Sequence, residues 1–222
     1  MDAAMRKMLR LQAETVINAL GKNNMLGFYV DKKDDVVLKV EELLHKGDTV
    51  AVGGSRTLAE TGVIDRLRGG EYRFLDRYQP GLTEEQVREI FLQSFGADAY
   101  LSSVNAITMQ GELYNVDGNS NRVAAICYGP RSVILVAGCN KIVKDIPAAI
   151  TRVKKRAAPA NANRLRADTP CARTGVCAGL HSDRMTAGCA CDSRICCNYV
   201  VSARQREKDR IKVILVGEDL GY

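Results

Sequence analysis

Three runs of this chain are rich in Val, Ile and Leu and show no apolar–polar alternation: TVAVGG (49–54), SVILVAG (132–138) and IKVILVGED (211–219). A strand with one face in water alternates, so unbroken runs predict strands covered on both faces of a parallel sheet. MLGFYV (25–30), YRFLDRY (72–78) and DAYLSS (98–103) are further strand candidates. Helical spacing falls between them. DDVVLKVEELLHKG (34–47) puts Val36, Val40, Leu43 and Leu44 on one face and stops at Gly47. TEEQVREIFLQSFG (83–96) opens on a Thr83 cap with acidic residues in its first turn and ends at Gly96. The N-terminal stretch spaces Met5, Met8, Leu9, Val16 and Leu20 as an amphipathic surface helix. Strand alternating with helix predicts an α/β fold: an open, mainly parallel sheet with flanking helices.

From 151 the pattern changes. TRVKKRAAPANANRLRADTP is basic and Ala-rich, with Pro159 and Pro170, and predicts a last core helix, a break and a short second helix. The stretch 168–198 then leaves the core as a Cys-rich excursion before the chain returns to the sheet. The expectation is one domain over 1–222 with this excursion inside it.

Composition narrows the partners. The net charge of +6 on 222 residues suits a small anionic ligand as well as a polynucleotide. With no Trp and 5% aromatics, stacking platforms for nucleic acid are poorly supplied, so no nucleic-acid partner is expected. The longest apolar run, VILVAGC (133–139), is too short to span a membrane and no targeting segment is evident, so a cytoplasmic location is expected. A reducing compartment disfavours structural disulfides.

Two stretches could hold a ligand. In DTVAVGGSRTLAETG a strand meets Gly53 and Gly54, then Ser55 or Thr57 as a helix cap, leaving N–H groups directed outward at an anion site. The spacing is neither a Walker A loop nor GxGxxG, and a plain strand-to-helix turn explains it equally well. In NAITMQGELYNVDGNSNRVAA (105–125) the polar residues Asn105, Thr108, Asn115, Asp117, Asn119, Asn121 and Arg122 crowd between apolar segments. A hairpin with Asx turns accounts for Asp117 and Gly118, but less well for Arg122 and the repeated asparagines. Glu60 and Glu218 are acids near strand ends.

Most of the 8 cysteines lie in 171–197, spaced C-x5-C-x11-C-x1-C-x4-C-C without a CxxC pair. Crowded thiolates repel one another, and a metal relieves the repulsion. Cys171, Cys177, Cys189 and Cys196 could hold zinc or an iron–sulfur cluster, with Cys191 or Cys197 as a substitute; free thiols in a mobile loop are the alternative. Cys127 and Cys139 read as small core residues.

Taken in order, VGGSRTLAETG (52–62), LDRY (75–78), NAITMQGELYNVDGNSNRVAAICYGP (105–130), VAGCNKIVKD (136–145), TPCARTGVC (169–177), RICCN (194–198) and VILVGEDLGY (213–222) resemble the LUD-domain family of lactate-utilisation-type bacterial proteins. The resemblance implies a fold like that of ribose-5-phosphate isomerase and the CoA transferases, in which the loop at Gly53, Gly54, Ser55 and Thr57 meets phosphate or carboxylate. It also implies a place beside oxidoreductase subunits in an iron–sulfur system that oxidises lactate. The family's C-x5-C-x2-C-x6-C pattern aligns with Cys171, Cys177, Cys189 and Cys196, but AGLHSDRMTAG widens the central gap and leaves Cys189 and Cys191 competing for the third place.

Two functions follow. One is a protein of lactate or related 2-hydroxy-acid metabolism carrying a cysteine-bound cluster or metal. The other is a binder or enzyme for a phosphorylated, carboxylate or CoA-type ligand in which zinc is only structural. With 2 histidines, no Ser–His–Asp set and no paired carboxylates, no catalytic residue is assigned. Assembly with further copies of the chain stays open.

Overall fold

The computed structural model describes residues 2–222. Its centre is a six-stranded, all-parallel sheet in the order β1–β10–β7–β4–β2–β3. The strands are β1 (Leu26–Val30), β2 (Thr49–Val52), β3 (Arg73–Leu75), β4 (Ala99–Ser102), β7 (Ser132–Gly138) and β10 (Ile211–Val216). Each of the six predicted strand runs contains one of them.

The unalternated runs are buried on both faces. Along β7, Val133, Leu135 and Ala137 turn into one core and Ile134 and Val136 into the other; β10 splits Val213 and Leu215 from Ile214 and Val216 in the same way. The first core is closed by α1 (Ala3–Lys22) through Ala13, Val16 and Leu20 and by α6 (Asn121–Tyr128) through Ala125 and Ile126. The second is closed by α2 (Val36–Glu41), α3 (Arg56–Glu60) and α4 (Val63–Leu67) through Val36, Val40, Leu58, Val63, Ile64 and Leu67. α5 (Glu84–Gln93) carries the predicted Thr83 cap, with Gln86 completing a capping box.

A second, four-stranded sheet of order β8–β5–β6–β9 was not foreseen. It pairs β5 (Ala106–Thr108) with β6 (Leu113–Asp117) as a hairpin, and adds β8 (Ile142–Val143) and β9 (Asn198–Ser202). Its core of Ala106, Tyr114 and Val116 packs on Ala149, Val153 and Ala158 of the helical stretch 146–164.

That stretch corrects the expected break at Pro159. α7 (Ile146–Arg152) runs into a π-helical turn (Val153–Ala157) and on into α8 (Ala158–Arg164), with the proline in the first turn of α8. Proline lacks an N–H and crowds the preceding turn; the wider π turn just before it accommodates both defects without ending the helix. The predicted helix 34–47 is shorter than expected, a 3₁₀ turn at Lys33–Asp35 followed by α2. After α9 (Pro170–Thr174), residues 175–197 form neither helix nor strand. No described helix is long and apolar enough to cross a membrane.

Candidate functional site: a cationic cleft beside a cysteine pocket

The carboxyl ends of β2, β4 and β7 converge on a cleft of about 270 Å³, the edge at which open parallel sheets bind ligands. Its wall takes Gly54, Ser55 and Thr57 from the first predicted stretch and Asn105, Asp117, Asn119, Asn121 and Arg122 from the second. The fold thus joins segments some 50 residues apart in sequence, as the β2–α3 loop faces the β6–α6 loop.

Gly53 lies just beneath. Its N–H bonds to the Leu101 carbonyl, and a Cβ would stand 2.7 Å from Ser102 Oγ, 2.9 Å from the Tyr100 hydroxyl and 3.0 Å from Arg122 Cγ. Gly53→Ala should therefore lower stability by about 1–3 kcal/mol through overpacking; an unchanged urea midpoint would contradict this packing. Ser55 caps α3, its Oγ accepting from Leu58 N at 3.1 Å. Thr108 stands apart from the cleft: fully buried, its hydroxyl bonds Glu112 and closes the β5–β6 turn.

Arg122 is the strut of the site. Its guanidinium donates to Ser103 O (3.1 Å), Asn115 Oδ1 (2.7 Å), Asn105 Oδ1 (3.2 Å) and Val116 O (2.8 Å), while Nε lies 3.5 Å from Asp117. Every N–H is thus directed at protein, and Arg122 lends the cleft charge rather than a free donor. Burial lowers its pKa. Free donors lie elsewhere. Arg77 stacks over Phe91 at 4.5 Å and has no hydrogen-bond acceptor among the described residues. Arg164 rests on Asn161, and the side chains of Asn119 and Asn121 are likewise unbonded among the described residues.

Sequence reasoning missed Lys141 and Ser103. Lys141 ends the 3₁₀ turn Cys139–Lys141 that follows β7, is only 3% exposed, and donates to Thr57 Oγ1 (3.0 Å) and Ser103 Oγ (2.9 Å). Burial, with help from Arg152 and Arg122 and against Glu60, brings its pKa down to about 7. Arg152 backs it, bonded to Asn105 O and Asn140 O with its second terminal nitrogen unpartnered, and burial brings its pKa to about 10. The tail closes the edge: Gly221 N donates to Glu60 at 2.8 Å, and Tyr222 reaches the cleft wall. Glu218 accepts from Lys33 N and stays outside the cleft wall. The signal for Lys141 was its place, directly after an apolar parallel strand.

Across Ile195, which lines both, lies a small cavity of about 20 Å³ walled by Cys171, Cys177, Cys189 and Cys196. Cys191 lies outside it, 3.5 Å from the Cys189 sulfur, and Cys197 is exposed. Burial, then Cys177 and Cys171, push the Cys196 thiol up to about 12. Arg194 staples the loop, donating to Thr186 O, Cys189 O, Cys196 O and the Tyr199 hydroxyl at 2.7–3.0 Å. Among the described residues no three His, Cys, Asp or Glu stand close enough to hold one metal ion. Cys139 is in the core as expected; Cys127 is exposed on α6, whose inward face is formed by Val123, Ala125 and Ile126.

The LUD-domain sequence profile matches residues 13–216. The chain belongs to the LUD domain family. Among solved structures this LUD protein is similar to a DUF162 family protein from Deinococcus radiodurans, at 16% identity over 95% of this chain and 98% of that one, TM-score 0.49. It is also similar to eIF2B beta from Chaetomium thermophilum, at 18% identity over 51% of this chain and 39% of that one, TM-score 0.34. No curated protein matches it.

Proposed function

We propose that the cleft binds a small anion bearing a carboxylate or phosphate, and that the LUD protein thereby serves the metabolism of lactate or a related 2-hydroxy acid. The observation that carries this is an excess of buried positive charge. Lys141, Arg122 and Arg152 cluster at the cleft and Arg56, Arg77 and Arg164 rim it, against Asp117 beside Arg122 and Glu60 beside Arg56. Burying cations with too little counter-charge is costly, and an anion offsets that cost. The cleft draws on both sheets, which supports reading 1–222 as one working domain. A loop that meets phosphate or carboxylate at a strand end also agrees with the implied likeness to ribose-5-phosphate isomerase and the CoA transferases.

Thermal melts with lactate, pyruvate, inorganic phosphate, ribose 5-phosphate and coenzyme A test this reading. A ligand at a hundred times its Kd adds about 2.7 kcal/mol, or roughly 5–10 °C for a chain of this size. Arg77→Ala should weaken the winning ligand at least about tenfold, the loss of one charge-assisted contact. No shift with any of the five would sink the proposal.

The cysteine pocket supports a second reading, a bound iron–sulfur cluster. Thiolates around one zinc stand about 3.8 Å apart, given Zn–S bonds near 2.3 Å; the arrangement here lacks three ligands that close, so a single zinc does not fit it. Cys171, Cys177, Cys189 and Cys196 do line one cavity, and thiolates are the ligands that an iron–sulfur cluster takes. Such a cluster supplies one-electron transfer, to which oxidoreductase subunits would be the partners. Anaerobically purified protein should contain iron and sulfide and lose both in Cys177→Ser. Colourless protein with one zinc per chain, or with neither metal, would overturn it.

A further inference from the structure

Anion binding does not by itself explain why an amine as buried as Lys141 has two hydroxyls and no carboxylate bonded to it. Arg77 and Arg164 already offer donors at the rim, and neither is buried as Lys141 is. An ammonium in this position would ordinarily have a carboxylate on it; its contacts here are two hydroxyls, Thr57 and Ser103, with Arg122 and Arg152 as its charged neighbours and Glu60 too far to bond. This is the setting of an amine kept neutral for use as a nucleophile. The same side chain lines the cleft, so a bound molecule can reach it.

We infer that the Lys141 amine condenses with the carbonyl carbon of an anionic carbonyl compound, a short 2-oxo acid or an open-chain sugar phosphate, held by the arginines of the cleft. The inference rests on the anion-binding reading and names the substrate class. The nitrogen lone pair attacks the carbonyl carbon, and the C=O π pair moves to oxygen. That oxygen takes up the proton that nitrogen releases, giving a carbinolamine. Its hydroxyl then leaves as water with a second proton while nitrogen forms the C=N bond; no oxidant or reductant enters. Ser103 donates its own proton to Val136 O at 2.6 Å, which leaves the Thr57 hydroxyl as the carrier between nitrogen and oxygen. Burial and the two arginines bring the amine to a pKa of about 7, so a large share of it is unprotonated at neutral pH.

The test is reductive trapping. Protein is mixed with pyruvate in one arm and ribose 5-phosphate in the other, treated with sodium cyanoborohydride, digested and mapped by mass spectrometry. One reduced adduct per chain on the peptide carrying Lys141, in either arm, is the expected result, and the arm identifies the acid group. The adduct should vanish in Lys141→Arg; if that variant does not fold, preference for Lys141 over the surface lysines in the unaltered protein decides. No adduct in either arm, or adducts scattered over surface lysines, would overturn the inference. Phosphate or lactate raising the melting temperature without an adduct would remove the imine and keep the anion cleft. Neither effect would remove both.

Discussion

Arg122→Ala should be among the most damaging single changes in this protein, lowering stability by about 3–5 kcal/mol, a loss of roughly 10 °C in melting temperature. The reason is what the guanidinium leaves behind. Ser103 O, Val116 O and the amide oxygen of Asn115 lose the guanidinium as donor, Asn105 Oδ1 keeps only Val116 N, and Asp117, with its side chain 10% exposed, loses its cation. These partners sit on β6 and in the connection from β4 to β5, so the change loosens the junction between the two sheets. Arg122→Lys should recover only part of the loss, since one ammonium cannot reach all five partners in a planar fork. Urea unfolding of the three proteins measures it. A loss below about 1 kcal/mol in the alanine variant, the size of one ordinary hydrogen bond, would mean that Arg122 is not the strut.

How much of this was legible in sequence depends on burial. β7 and β10 lie between two cores, so Val133–Ala137 and Val213–Val216 are apolar without a break and the strands announce themselves. The second sheet gives no such signal. β8 has only 2 residues and β5 only 3, and Asn115 and Asp117 occupy β6 because they hold Arg122. The buried polar network around Arg122 has overwritten the hydrophobic pattern there, and the polar crowding that marked 105–125 is the same fact seen from the other side. Asn105, Asp117 and Arg122 could be suspected from composition; that Arg122 is fully committed to protein could not. Lys141 was hidden because its neighbours Thr57 and Ser103 are 84 and 38 residues away in the chain. Only the strand order, with β7 beside β4 and β4 beside β2, brings them together.

The cleft and the cysteine pocket are built as neighbours. Cys197 N donates to Asp117 O at 3.0 Å and Asn198 Nδ2 to Gly118 O at 3.4 Å, so the end of the Cys-rich loop is tied to the turn that forms one wall of the cleft. A Cβ on Gly118 would already stand 3.3 Å from Ile195 O, so the tie is close. Ile195 lines both, so one side chain separates the thiol pocket from the cleft.

Lys141→Met should make the ligand-free protein more stable and shrink the stabilisation that a bound ligand adds. In the folded protein the amine falls from its ordinary 10.5 to about 7, so between those values the unfolded chain holds a proton that the folded chain does not. Stability of the unaltered protein therefore rises with pH across this window, by about 1.4 kcal/mol per pH unit, and the full cost of the buried amine is present at and below pH 7. Methionine carries no such cost but forfeits the bonds to Thr57 and Ser103, worth about 1 kcal/mol each. The variant should lead by about 1–3 kcal/mol at pH 6.5 and lose that lead steadily toward pH 9. A bound anion should narrow the lead, since it offsets the Lys141 charge that burial disfavours, whereas in the variant the arginines of the cleft alone hold it. Urea midpoints at pH 6.5 and pH 9, with and without the best ligand of the melting panel, measure all of this together. A lead that does not change with pH would show that the amine is charged in the folded state. A ligand that stabilises both proteins equally would place the anion elsewhere than on Lys141.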